Sequence, residues 1–276
     1  MKSPAPSEPA EQHAPGPGPR PVDIGFAVAA SASLAAYNNL INRHPWHHRR
    51  YVLLNLCAAG ATLSAAAASG LTRADLGFWR GISRKDRLGA QLAAGITAGW
   101  LLLAVVPAAR PVLNDKRVTA LNECAIAYQA LIRIPLGTVL WEEVAFRGVL
   151  QAALRRTMSE RAAIMVTAGV FGFWHVRPTL EALRANGLTS HRSQAVTRVF
   201  AGSAAMAAAG ILLSWLRARS GSLTGPVLVH LATNCGGLVT AWTVARVQGS
   251  SDCRAERLVA QGLSGKHVIA GARGAS

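Results

Sequence analysis

Two adjacent acids and an arginine, Glu142, Glu143 and Arg147, lie in WEEVAFRG (141–148), inside an otherwise apolar run. An ionised side chain at membrane depth costs at least about 2.5–3.5 kcal/mol on insertion scales, so such groups face an interior, pair, or carry function. Glu143 and Arg147 are four apart, share a helical face and can pair along it. Glu142 stands about 140° round the helix from Arg147 and has no such local partner. Alone, the cluster is equally well a packing network, with Arg133 as a further neutralising group. Two other blocks, however, carry chemistry at similar depth. FGFWH (171–175) puts His175 at the C-terminal end of an apolar run, and VLVHLATN (227–234) puts His230 and Asn234 four apart on one face. A single intramembrane His is usually an interhelical hydrogen bonder. Two of them, an Asn one turn on and an unpaired Glu supply a base, imidazoles for water or metal, and an amide donor for a developing oxyanion. Those are the groups needed to hydrolyse an amide with activated water. No Ser or Cys accompanies the histidines in a nucleophile arrangement.

The elements that must position these groups are apolar blocks. The chain of 276 residues is 51% hydrophobic and 15% charged. Blocks at 24–41, 51–70 and 88–107 reach the roughly 20 residues that cross a bilayer. Others lie at 118–140, 161–176, 195–216 and 222–245, with most charges between them. The pattern predicts an all-α fold, a polytopic transmembrane helical bundle of about six to eight membrane-embedded helices. The net charge of +16 then belongs to Lys and Arg at lipid headgroups rather than to a nucleic-acid surface. Alternate loops carry similar numbers of basic residues, which leaves orientation open. Pro135 and Gly137 predict a break before the acids, with Glu142 in the first turn that follows, where a helix N-terminus favours its charge. GSLTGP (221–226) predicts a second break before His230. Breaks at this depth are tolerated where they line a cavity, so a water-filled cavity is expected where the two helix starts meet.

Composition divides the chain into a disordered Pro-rich N-terminus (1–23), N-terminal transmembrane helices (24–117), a transmembrane core that carries the acids and both histidines (118–247) and a flexible tail (248–276). Cys57, Cys124, Cys235 and Cys253 show no metal-ligand spacing. HPWHHRR (44–50) reads as a basic interfacial loop anchored by Trp46 rather than as a metal site.

EEVAFRG, FGFWH and HLATN resemble, in order and spacing, the motifs EExxxR, FxxxH and HxxxN of the CPBP family of intramembrane proteases. That is the CAAX-processing and bacteriocin-related (Abi) group, and the Rce1-like proteins are of this kind. LTRADLGFWRG (71–81) is similar to a short LG-containing segment that often precedes the core. The likeness covers roughly residues 70–246, most strongly 134–234. It implies that Glu142, with His175, polarises the attacking water, and that His230 and Asn234 stabilise the oxyanion. Glu143 and Arg147 would hold the site together, in agreement with their i,i+4 spacing. Glu142, His175 and His230 could hold zinc or only water. Trp174 is bulky where a smaller residue is expected, and would narrow the site. The resemblance further implies an integral, multi-pass protein of a bacterial cell membrane, in contact with lipid. Its substrate would be a membrane-associated peptide or a lipidated protein. The alternatives are a non-catalytic scaffold or immunity-type protein of the same fold, and an ion transporter.

Overall fold

A computed structural model describes residues 18–41, 49–78 and 84–260, except the side chains of 41, 109, 112 and 249–260. Every regular element among these residues is helical. Helix α1 (Pro21–Ala36) runs on into a wide π-type turn, Tyr37–Ile41, and is followed by α2 (Tyr51–Ala68) and α3 (Arg87–Val105). After two single-turn helices come α4 (Glu123–Arg155), α5 (Glu160–Trp174), α6 (Val176–Ala185), α7 (Arg192–Ser220) and α8 (Thr224–Ala260). Five helical stretches, Tyr51–Ala68, Arg84–Val105, Glu123–Arg155, Arg192–Ser220 and Thr224–Gln248, are long and apolar enough to cross a membrane. Helices α1 and α5, with 16 and 15 residues, are shorter than these five, and together they make the all-α membrane bundle expected. The outward faces carry exposed Leu101, Val105, Leu131, Val196 and Phe200, as a lipid-facing surface requires.

Helix α4 is the axis of the bundle, touched by α1, α2, α5, α7 and α8. Asn122 starts it, its Oδ1 accepting the Ala125 N–H at 2.8 Å. The stretch Trp141–Leu154 is buried throughout. It packs its Phe146, Val149 and Leu150 against Phe171 and Trp174 of α5 and Leu34 of α1. Small residues let the outer helices approach closely. A Cβ on Gly89 of α3 would stand 2.4 Å from the Gly225 Cα of α8, and one on Gly172 of α5 would stand 2.8 Å from Ala207 of α7.

The expected break before the acids does not occur. Residues 129–140, Pro135 included, form a π-type stretch, and Glu143–Leu150 forms another, so the helix continues through both. Proline lacks an N–H and its ring crowds the carbonyl four residues back. Wider turns absorb the mismatch without ending the helix. Glu142 therefore sits in mid-helix, with no helix N-terminus beside it. The second break is present: α7 ends at Gly221 in the left-handed region (φ 72°) and α8 begins at Thr224. His230 follows in the second turn.

At the ends, α1 already begins at Pro21, and α8 extends to Ala260, past the boundary at 247. The HPWHHRR segment up to residue 48 and Trp79–Gly81 of the LG-containing segment lie outside the described residues. Within that segment Leu76 is buried and Gly77 takes φ 80°. Cys57 and Cys124 are exposed and Cys235 half-buried, all three free thiols.

Candidate active site

The site forms where the middle of α4, the C-terminal end of α5 and the second turn of α8 converge. Glu143 and Arg147 pair along α4, Nη1 to Oε1 at 3.2 Å, both with fully buried side chains. The Arg147 guanidinium also lies 4.1 Å from the centre of the Phe171 ring, a cation–π contact in a desolvated place. Arg133 takes no part: it donates to Gln129 at 3.1 Å and lies over the Tyr51 ring.

Glu143 has a second role that its spacing did not announce. Its Oε1 stands 2.7 Å from Nδ1 of His230. A carboxylate only accepts, so Nδ1 carries the proton and Nε2 is left for the site. His175 is set in the same way. It occupies the C-cap of α5, and its Nδ1 lies 2.8 Å from the Phe171 carbonyl, which accepts the N–H. Both imidazoles flank the Phe171 ring, with centroid separations of 4.5 Å for His175 and 6.3 Å for His230.

Glu142 is 5% exposed, and its two oxygens differ. Oε1 accepts the indole N–H of Trp174 at 3.0 Å. Oε2 is buried without a hydrogen-bond partner and lies 3.8 Å from Nε2 of His230. Trp174 thus binds the acid it was expected only to crowd. The indole is clamped in turn. Tyr37 stacks on it (5.8 Å, 2°), Phe146 meets it edge-on (5.4 Å, 83°), and Asn38 Nδ2 donates to its carbonyl at 2.8 Å. Asn39 does the same for the Phe173 carbonyl at 3.1 Å. The two asparagines satisfy carbonyls that the end of α5 leaves open. Tyr37 donates to Asn55 at 2.8 Å, and Asn55 Nδ2 to the Gly137 carbonyl at 2.7 Å, so α1, α2 and α4 are tied beneath the site. None of Tyr37, Asn38, Asn39 or Asn55 was singled out from the sequence. Their only signal is polarity inside blocks that are otherwise apolar.

Asn234, one turn beyond His230 on α8, is half-buried, and its side chain makes no hydrogen bond among the described residues. Among those residues no group of three or more His, Cys, Asp and Glu side chains is placed to hold a metal ion, Glu142, His175 and His230 included. An apolar cavity of about 430 Å³ adjoins the site, lined by Phe26, Leu34, Tyr37, Trp141 and Val149 among others.

Fold and site define a class: a helical integral membrane protein with buried acid and imidazole groups gathered at mid-bundle. Residues 125–236 match the family model described as type II CAAX prenyl endopeptidase Rce1-like, a match that supports a place in the CPBP/CAAX protease family. The family so described is one of CAAX prenyl endopeptidases. Comparisons with curated proteins and with solved structures gave no match.

Proposed function

We propose that the protein hydrolyses a peptide bond of a membrane-associated, lipidated or strongly apolar substrate, using water activated by Glu142. The observation that carries this reading is the unpartnered Oε2 of Glu142, 3.8 Å from His230 Nε2. A water about 2.8 Å from each atom completes a triangle with them. Glu142 takes a proton from that water as its oxygen attacks the scissile carbonyl. His175, with Nε2 free, holds the water from the α5 side. The carbonyl oxygen becomes an oxyanion, which accepts from the Asn234 amide, while the bare Nε2 of His230 accepts from the O–H that the attacking water keeps. The C–N bond breaks as the leaving nitrogen takes the proton from Glu142. Glu143 and Arg147 keep His230 and α4 in register throughout. The apolar cavity against Trp141 has the character an alkyl or prenyl chain requires.

The test is turnover of a fluorogenic farnesylated CAAX peptide by the full chain in phospholipid nanodiscs. Glu142→Ala, His175→Ala and His230→Ala are expected to lose at least about a hundredfold in kcat while still inserting and folding. Full turnover in purified Glu142→Ala would refute the reading. A zinc-assisted variant of the same chemistry is decided in that assay. Dialysis against a chelator leaves the rate unchanged if side chains alone hold the water, and a loss restored only by zinc would place an ion between Glu142, His175 and His230.

A further inference from the structure

We infer that Trp174 is a positioning residue whose indole N–H fixes which oxygen of Glu142 faces the reacting water; the inference rests on the water-activation reading above. A glutamate side chain turns easily about its last torsion. A carboxylate with two free oxygens would present either one, at varying angles. Here Oε1 is held by Trp174 at 3.0 Å, and Oε2, the oxygen without a partner, is left on the side of His230.

The donor suits the task. An indole N–H only donates, so Trp174 cannot compete with Glu142 for the proton of the water. Nor can it drift. The ring is 2% exposed, stacked by Tyr37 and met edge-on by Phe146, with its own carbonyl anchored by Asn38. Trp174 is also the residue before His175, so a single turn at the end of α5 delivers both the group that aims the base and one of the imidazoles. A smaller residue here would leave room near Glu142 and no donor to orient it.

The experiment compares wild type with Trp174→Phe, and with a chain in which Trp174 is replaced by its benzothiophene isostere. Both replacements keep an aromatic body and delete the N–H. With the farnesylated CAAX peptide, kcat should fall about tenfold to a hundredfold with KM within about twofold, since misplacing a base affects the transition state more than substrate binding. The isostere should be as slow as Trp174→Phe at an unchanged melting temperature, an outcome that a purely packing role would not give. In the ¹⁵N-indole NMR spectrum, Glu142→Gln should move the Trp174 N–H resonance. Wild-type kcat in the isostere, or an unmoved resonance, would overturn the inference. Inactive Glu142→Ala beside fully active Trp174→Phe removes the positioning role alone, whereas fully active Glu142→Ala removes the water-activation reading beneath it.

Discussion

Oε1 of Glu143 lies 2.7 Å from Nδ1 of His230, joining two helices through groups 87 residues apart in the chain. The same oxygen accepts from Arg147, so one atom serves an ion pair and an imidazole. Truncation to Glu143→Ala strands a fully buried guanidinium and frees His230. Removing one partner of a buried pair costs about 3–5 kcal/mol. We expect a markedly lower unfolding midpoint in detergent titration and almost no turnover. A midpoint equal to wild type would show that Arg147 finds another acceptor.

Arg147→Lys separates charge from shape. Lysine keeps the positive charge near Glu143 but loses the planar group that lies 4.1 Å over Phe171. Phe171 is packed against the imidazoles of both His175 and His230, so the loss reaches them. A desolvated cation–π contact is worth about 2 kcal/mol. The expected result is a melting temperature several degrees lower and a smaller fall in kcat than Glu143→Ala gives. Unchanged thermal stability would mean that the stacking contributes nothing.

Gly77 has φ 80°, and a Cβ placed on it would stand 2.6 Å from Nε of Arg217. Arg217 donates to the Asp75 carbonyl at 2.7 Å, and the Gly77 carbonyl accepts from Leu223 at 3.2 Å. Gly77→Ala must therefore strain the backbone and displace a buried arginine at the junction of α7 and α8. A non-glycine residue forced into such a region costs about 1–3 kcal/mol. Thermal unfolding should show that loss, and Gly77→Asn, whose side chain tolerates this region better, should recover part of it.

Acid should loosen the same loop. Asp75 accepts from the Thr72 N–H at 2.8 Å and from its hydroxyl at 2.9 Å, and Arg156 stands 3.4 Å away. The backbone N–H of Thr72 foremost, against a desolvation cost, then its hydroxyl and the Arg156 charge hold the carboxyl below the usual carboxylate range. The carboxyl binds its proton more weakly folded than unfolded, so its contribution is complete above the ordinary value of about 4 and disappears as pH falls through the lowered one. Melting temperature measured from pH 6 down to pH 3 should fall less steeply in Asp75→Asn than in wild type. Because Asp75 is 43% exposed, the difference will be small. Identical slopes would exclude the loop from the acid response.

What could be read in the sequence was whatever depends on one helix at a time. Glu143 and Arg147 announced their pairing by four-residue spacing, and His175 its place at a helix end by the change in composition after it. The apolar blocks gave the helical bundle. Contacts that cross helices left no trace in spacing: Trp174 to Glu142, Glu143 to His230, Asn38 to the Trp174 carbonyl. Trp174 was misjudged because its volume was weighed without its N–H. Pro135 and Gly137 suggested a broken helix because a proline usually ends one, but the surrounding residues form wide turns that carry the chain through. The tail was judged by its Gly, Ser and Arg content, which did not reveal that α8 continues to Ala260.

Asn38 and Asn39 belong to a stretch well before residue 125, yet they hold the carbonyls on which Trp174 and His175 depend for their placement. The segment recognisable by kinship is thus smaller than the segment that must be intact to work. A chain begun at residue 118 would keep every acid, imidazole and amide named in the chemistry, and would lose the floor on which they stand.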